Sequence, residues 1–202
     1  MSLPKNWPAD ITYLQSPIYS PTLTTEDLEA ITITNPDQAQ PQPSPPSAAP
    51  SPLVKIHSIT NTPAHPANTQ HGLFATRNLR PGTFLLDYLG HIHAASETDP
   101  ASRYDLSLDA ERGIGIDATR MGNEARFLND YRGVREEGPN CEFRERVVDA
   151  GVGRSGSRGV TGAQRRVGIF VCEVGKSGRG RKGVRKGEEL VVNYGKGFWR
   201  GS

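Results

Sequence analysis

The chain has 202 residues, enough for one domain with flanking segments, and its 24 Lys and Arg against 22 Asp and Glu leave a net charge of +2. The sequence contains two Cys and no CxxC pair, which argues against a disulfide framework and a cysteine zinc site and fits the reducing nucleocytoplasm. No stretch approaches the ~20 apolar residues of a membrane span, and the amino terminus lacks a secretory pattern, so we expect a soluble intracellular protein without membrane contacts.

Composition divides the chain into two regions. All 22 Gly lie at or beyond Gly72, whereas eleven of the 16 Pro lie within the first 52 residues. Residues 1–52 are predicted to be a disordered tail, because their Pro-, Gln- and Ser-rich part offers little apolar surface to offset the entropy of ordering. Apolar residues are scattered without a period over residues 1–37, which leaves a short docking segment as the alternative.

Residues 53–202 are predicted to form a domain of short strands. The stretch from Val54 to Ile59 alternates apolar and polar residues, as a half-buried strand does. From Gly72 to Gly90, two apolar runs flank the turn-forming pair Pro81-Gly82, which predicts a hairpin or meander.

More strands follow at short spacing. The segments Tyr104–Asp109 and Gly113–Thr119 both alternate and are joined by a short turn, which predicts a strand pair. Runs from Val167 and from Glu188 also indicate strands, whereas Asn123–Asp130 has a helical composition but is too short for an independent helix. Because strands do not alternate with long helices, the pattern favours a mainly β domain over a Rossmann-type fold.

Two segments rich in Gly, Ser and Arg interrupt this pattern at residues 149–166 and 175–186, and we predict that both are flexible insertions. The second carries six basic residues and no acidic one. A solvated loop is one interpretation of it, and a weak contact with nucleic-acid phosphates or with a nuclear import receptor is the other.

Four motifs, in order between Val54 and Trp199, resemble those of the SET-domain lysine methyltransferases. HGLFATRNLRPGTFLLDYLG resembles the opening element of that family, and RFLND resembles its central RFxNH motif. PNCEF resembles the segment after that motif, and GEELVVNYGKGFW resembles the closing element. One match would be weak evidence, but four in the same order support the resemblance.

The resemblance implies a mainly β, β-clip-like SET-domain fold of small sheets with a carboxy-terminal pseudoknot. It implies that a methyl group passes from S-adenosylmethionine to a lysine side chain within a narrow channel, where the protein aligns the donor and acceptor and excludes water. The cysteine-rich zinc segments that flank the domain in some family members are absent from this sequence, and no metal site is expected.

The resemblance also assigns the substrate channel. Tyr194, in NYG, aligns with the tyrosine whose hydroxyl lies beside the transferring methyl group, and Tyr104 aligns with a second channel tyrosine. Val192 falls at the position that governs how many methyl groups are added. Ordinary packing is the alternative for each of these three residues.

The cofactor site is implied by the same motifs. Backbone contacts to the methionine end of S-adenosylmethionine are expected at His71, Gly72 and Leu73, although Gln70 stands where the family has a glycine. The central motif contributes the remaining expected contacts, and a closing aromatic pair would cover the adenine ring. These residues are Arg126, Phe127, Asn129, Asp130, Phe198 and Trp199, with Asp130 in place of the usual histidine. The alternatives are a simple turn at Gly72, a core hydrogen-bond network for Arg126 and Asn129, and hydrophobic anchoring of the carboxy terminus for Phe198 and Trp199.

The leading hypothesis is an active, monomeric protein-lysine methyltransferase that acts on a histone tail or another lysine-bearing protein in the nucleus, with the cytoplasm as the alternative compartment. A catalytically inactive SET-fold binding module is the first competitor, because of Gln70 and Asp130. A basic nucleic-acid-associated protein that uses residues 175–186 is the second.

Overall fold

The computed structural model describes residues 3–33, 48–149, 162–173 and 183–195. Short β-strands dominate these residues, and none of the helices within them is long and apolar enough to cross a membrane. The helices are α1 (Thr25–Ala30) and two 3-10 helices, Ala95–Glu97 and Glu124–Phe127. The strands are β1 (Thr12–Tyr13), β2 (Ile18–Tyr19), β3 (Thr32–Ile33), β4 (Val54–Ser58), β5 (His71–Ala75), β6 (Phe84–Asp87), β7 (His91–His93), β8 (Asp105–Asp109), β9 (Ile114–Asp117), β10 (Met121–Gly122), β11 (Asn129–Asp130), β12 (Cys141–Asp149), β13 (Ala163–Val171) and β14 (Val191–Val192).

The two longest strands, β12 and β13, form the frame of the domain. They pair antiparallel along their whole length, and both β6 and β3 pair antiparallel with β13. Leu86 of β6 lies opposite Ile169 of β13, and both side chains are fully buried. This sheet therefore forms one wall of the hydrophobic core.

A second sheet has the strand order β2-β7-β9-β8. Its β8 and β9 form the predicted strand pair, with Leu106 opposite Ile116. Ile92 of β7 also lies opposite Ile116, and both side chains are buried in the same hydrophobic core. The sheet therefore closes the core and leaves β8 at its edge.

Two smaller strand pairs bring distant parts of the chain together. Strands β4 and β5 pair antiparallel, whereas β11 and β14 pair parallel. The N–H of Leu190 donates a hydrogen bond of 2.8 Å to the carbonyl oxygen of Leu73 in β5. The closing motif is therefore held between the opening and the central motifs.

Residues 3–33 depart from the prediction of a disordered tail and dock on the domain, which was the alternative. β1 pairs parallel with β10, and β2 pairs parallel with β7. The segment buries four apolar side chains in the domain, namely Leu14, Tyr19, Leu23 and Ile31. Each docking strand has only two residues, too few to show a period in the sequence. Residues 34–47 of the predicted tail lie outside the described part of the chain.

The predicted hairpin or meander between residues 72 and 90 is wrong. Its two strands are present, but β5 pairs with β4 and β6 pairs with β13. Pairing with β13 places Leu86 opposite Ile169, and burial of both side chains stabilises this arrangement.

Residues at the ends of both predicted insertions take part in strand pairing. Asp149 ends β12, and residues 163–166 begin β13, so only residues 150–161 of the first insertion lie outside the described residues. The polar composition of residues 163–166 gave no sign of a strand in the sequence. The side chains of Gln164 and Arg166 are nevertheless buried: the hydroxyl of Tyr19 donates a hydrogen bond to Gln164 and accepts one from Arg166.

In the second insertion, Val184 is buried and forms an antiparallel bridge with Leu79. Residues 175–182 of this insertion lie outside the described residues. The part of the basic run that the structure describes is its carboxy-terminal end, residues 183–186.

Candidate active site

A cavity of about 1120 Å³ opens between the start of β5, the strand β8 and the central motif. Ligand pockets in proteins commonly enclose roughly 300–1,000 Å³, so this cavity has room for a cofactor-sized molecule together with a substrate side chain. Seven of the residues predicted from the sequence line it: His71, Tyr104, Arg126, Phe127, Asn129, Asp130 and Tyr194.

The parallel pairing of β11 with β14 brings the central and closing motifs into contact. Asn129 lies opposite Val191, and Asp130 lies opposite Val192. The hydroxyl of Tyr194 donates a hydrogen bond of 3.0 Å to the carbonyl oxygen of Leu128. The RFLN segment and the NYG tyrosine are therefore neighbours on one wall of the cavity.

Asp130, which replaces the usual histidine of the family motif, is a structural anchor in this wall. Its carboxylate is buried and accepts hydrogen bonds from the main-chain N–H of Tyr194 at 3.1 Å and from the main-chain N–H of Arg132 at 2.9 Å. It also forms an ion pair of 2.9 Å with the guanidinium of Arg132. The aspartate thus ties β11 to the chain that leaves β14.

Tyr194 occupies an aromatic and weakly hydrated environment. Its ring packs against Phe143 with the centroids 5.5 Å apart. Burial raises the pKa of its hydroxyl well above the ordinary tyrosine value, and the nearby charge of Asp130 and the proximity of Tyr104 add to the shift. The hydroxyl therefore stays protonated at neutral pH.

Tyr104 is held on the cavity wall through both its ring and its backbone. The guanidinium of the buried Arg126 lies 4.3 Å from the ring centroid of Tyr104, and its Nε donates a hydrogen bond of 3.0 Å to the carbonyl oxygen of Ala118. The hydroxyl of Tyr88 donates a hydrogen bond of 2.7 Å to the carbonyl oxygen of Tyr104. Arg126 thus acts as a buried support for an aromatic wall.

Phe127 is supported from two sides. Its ring makes edge contacts with His71 of β5 at a centroid distance of 5.8 Å and with Trp7 of the amino-terminal segment at 5.7 Å. Trp7 in turn packs against Tyr13 of β1 at 4.9 Å, and its neighbour Pro8 lines the cavity. The docked amino-terminal segment is therefore part of the wall of the site.

Asn129 bridges the opening and closing motifs. Its side-chain Nδ2 donates hydrogen bonds to the carbonyl oxygen of His71 at 3.3 Å and to Oε1 of Glu189 at 2.8 Å. The amide is thereby fixed at the point where three segments of the chain meet.

The SET domain model matches residues 70–195, a range that includes most of the residues of this cavity. This chain belongs to the SET domain family. Its mainly β structure of small sheets agrees with the fold that the resemblance implied for SET domains.

Several curated proteins share this SET domain. A histone-lysine N-methyltransferase, H3 lysine-36 specific, from Aspergillus fumigatus is 31% identical over 131 residues, which cover 61% of this chain and 11% of that protein. A protein of the same name from Emericella nidulans is 30% identical over 135 residues, with the same coverage. The histone-lysine N-methyltransferase trithorax of Drosophila virilis is 34% identical over 89 residues, covering 39% of this chain and 2% of that protein. The matched region thus spans about a tenth or less of these relatives.

Solved structures are similar at lower identity. The crystal structure of the Chaetomium thermophilum polycomb repressive complex 2 gives a TM-score of 0.49 at 20% identity and covers 77% of this chain and 16% of that chain. A structure of the apo complex in an autoinhibited state gives a TM-score of 0.48 at 21% identity, and the match covers 74% of this chain and 16% of that chain.

Not every predicted residue of the SET domain faces the cavity. Gly72, Leu73 and Val192 are buried and are not among the residues that line it. Phe198 and Trp199 lie outside the described residues.

Three residues of the SET-domain site were missed from the sequence. Glu189 accepts a hydrogen bond from Asn129, and Arg132 forms an ion pair with Asp130. Trp7 packs against the ring of Phe127. Glu189 stands in the closing motif and Arg132 lies two residues after Asp130, so both were within reach of motif reasoning. Nothing in the sequence connects Trp7 with the site, because its partner lies 120 positions away.

Proposed function

We propose that this SET domain transfers a methyl group from S-adenosylmethionine to the side chain of a lysine in another protein. The observation that carries the proposal is the junction of Tyr194 with the RFLN segment, on the wall of a cavity that Tyr104 also lines. Membership of the SET domain family and the names of the curated relatives support it.

The residues of the cavity fit S-adenosylmethionine. The aromatic rings of Tyr104, Phe127 and Tyr194 offer faces that attract a positively charged sulfur, whereas the carboxylate of Asp130 is already paired with Arg132. The amide of Asn129 offers an oxygen to an N–H donor of a ligand. The chemistry that S-adenosylmethionine supplies when it is bound is an electrophilic methyl group on a sulfonium.

Tyr194 would orient the amine of the substrate. Because its hydroxyl donates its hydrogen to Leu128, its oxygen can act toward a lysine amine only as an acceptor. An accepted N–H would turn the nitrogen lone pair away from the tyrosine and fix its direction. The raised pKa of Tyr194 keeps the oxygen protonated, so the residue positions the amine and does not remove its proton.

The cavity would also favour the neutral amine. A free lysine has a pKa near 10.4, so its deprotonation at pH 7 costs roughly 4–5 kcal/mol. The positive charge of a bound sulfonium, together with the displacement of water by Tyr104, Leu128 and Tyr194 on substrate binding, would disfavour the ammonium form of the lysine. Both effects therefore lower that cost.

The proposal extends to the substrate of the protein and to its cellular compartment. Histone-lysine N-methyltransferases among the relatives favour a histone tail or another lysine-bearing protein as the substrate and the nucleus as the compartment. A monomeric state, and a weak nucleic-acid contact through residues 175–186, remain predictions.

The test compares wild-type protein with Tyr194→Phe and with Tyr131→Phe, whose ring is not among those that line the cavity. Binding of S-adenosylhomocysteine is measured by calorimetry, and transfer is measured as isotope from labelled S-adenosylmethionine in a proteome extract. We expect Tyr194→Phe to reduce transfer by on the order of 100-fold while the affinity stays within about twofold, and Tyr131→Phe to leave both unchanged.

Equal transfer by wild type and Tyr194→Phe would refute the role of Tyr194. Ligand binding by wild type without any transfer would favour the inactive binding module. Salt-sensitive DNA or RNA binding that is lost on deletion of residues 175–186 would support the nucleic-acid alternative.

A further inference from the structure

A largely buried hydrogen-bonded relay reaches the wall of the cavity at Asn129. Nε2 of His65 lies 2.9 Å from Oε2 of Glu189, and Oε1 of the same carboxylate accepts the hydrogen bond from Nδ2 of Asn129 at 2.8 Å. The side chains of His65 and Glu189 are 8% and 11% exposed. The relay therefore connects the loop before β5 with a residue of the cavity wall through groups that are largely shielded from water.

The chemistry of the relay determines which way the amide of Asn129 faces. Both of its neighbours, the carboxylate of Glu189 and the carbonyl oxygen of His71, are acceptors, so the amide nitrogen must face them. The amide oxygen is consequently the atom left to interact with a ligand. Asn129 thus presents an acceptor, suited to an ammonium, an amine or a hydroxyl group of the bound molecule.

The tautomer of His65 is set in the same way. The main-chain N–H of Ala67 donates a hydrogen bond of 3.0 Å to Nδ1 of His65, so that nitrogen is an acceptor. The ring hydrogen therefore lies on Nε2 and is donated to Glu189. Because Pro66 and Ala67 themselves line the cavity, the histidine also anchors the loop that forms this part of the wall.

Gly72 makes room for the relay. A Cβ atom at this position would lie 2.7 Å from Oε1 of Glu189 and 3.0 Å from Cδ1 of Ile59. The carboxylate could not keep its place beside any larger residue. Within the described structure, the glycine of the opening motif thus accommodates the glutamate of the closing motif.

We propose that His65 is a positioning residue that, through Glu189, holds the amide oxygen of Asn129 toward the donor group of the bound cofactor. This inference rests on the proposed function for the identity of the ligand, but the relay itself can be observed without any ligand. His65 does not reach the cofactor in this account and acts only through its two partners.

The first experiment is nuclear magnetic resonance of the ligand-free protein at pH 8, where an ordinary histidine is neutral. Long-range correlations between ring hydrogens and ring nitrogens report the tautomer of each histidine. We expect His65 as the Nε2–H tautomer. An Nδ1–H tautomer, or rapid averaging of the two forms, would overturn the relay whatever the protein binds.

The second experiment measures the dissociation constant of S-adenosylhomocysteine by calorimetry. We expect His65→Ala to weaken binding by about tenfold, as the loss of a hydrogen bond to a charged group does. His65→Gln, which places an amide N–H near the position of Nε2, should bind within about twofold of wild type. The matched control is His57→Ala, since His57 is exposed on β4 and does not line this cavity.

A double-mutant cycle separates positioning from a general loosening of the loop. If His65 acts through Asn129, then His65→Ala should weaken binding in the wild-type background but not in the Asn129→Ala background. Equal losses in both backgrounds would contradict the proposal. A wild-type protein that binds no S-adenosylhomocysteine would instead contradict the proposed function, and the tautomer measurement would still decide the relay.

Discussion

The main-chain N–H of Tyr194 donates a hydrogen bond of 3.1 Å to the carboxylate of Asp130, so the aspartate that departs from the family motif holds the tyrosine of the closing motif. The acidic residue thereby provides an anchor that is compatible with an intact site. The departure at this position therefore gives no structural reason to expect an inactive SET domain.

Asp130→Ala should lower both stability and methyl transfer. Loss of the acceptor leaves the N–H of Tyr194 without this hydrogen bond, at a cost of about 1–3 kcal/mol, and lets the tyrosine move from its position. The matched control is Arg132→Ala, which removes the ion pair but keeps the bond to Tyr194. Urea unfolding and transfer assays check the prediction, and an equal loss of transfer in both variants would contradict it.

Trp7→Ala should destabilise the protein although Trp7 precedes the matched SET domain. The change removes the edge contacts of the indole with Phe127 and Tyr13, and we expect a loss of about 1–3 kcal/mol for this partly buried side chain. Because Phe127 lines the cavity, affinity for S-adenosylhomocysteine should fall as well. Leu3→Ala, at a position that is 60% exposed, is the control in the same segment. Unchanged unfolding of Trp7→Ala would contradict this prediction.

The pair His93 and Asp105 should make stability depend on pH. Nδ1 of His93 faces the carbonyl oxygen of Ala94 at 3.0 Å, and Nε2 lies 3.1 Å from Oδ1 of Asp105, so the doubly protonated ring suits both neighbours. Burial lowers the pKa of His93, but the Ala94 carbonyl, Asp105 and the charge of Asp117 outweigh it, and the pKa is raised overall.

A raised pKa in the folded state means that the added stability is complete below the unfolded value of about 6.5 and is lost as the pH rises through the folded value. Asp105→Asn should therefore cost more at pH 6, about 1–3 kcal/mol, than at pH 9. Urea midpoints at the two pH values check this, with the exposed Glu111→Gln in the β8–β9 turn as the control. The same cost at both pH values would rule out this coupling.

Local sequence patterns were sufficient to predict several strands and the family. The alternation in residues 54–59 and 104–119 predicted β4, β8 and β9, and the structure confirms these strands and the pairing of β8 with β9. The motifs predicted the SET domain family, and the family match confirms it. The same motifs named seven residues that the fold gathers around one cavity.

The remaining features depend on contacts between residues that are far apart in the sequence. The partner of β6, the docking of residues 3–33 and the relay from His65 to Asn129 depend on contacts between segments dozens of positions apart. Hydrophobic periodicity reports which face of an element is buried, but it carries no information on which element covers that face. The sequence by itself therefore determined the kinds of elements and the family, whereas only the tertiary structure decided which strands pair and which side chains support the site, because burial and hydrogen bonding are satisfied between distant segments.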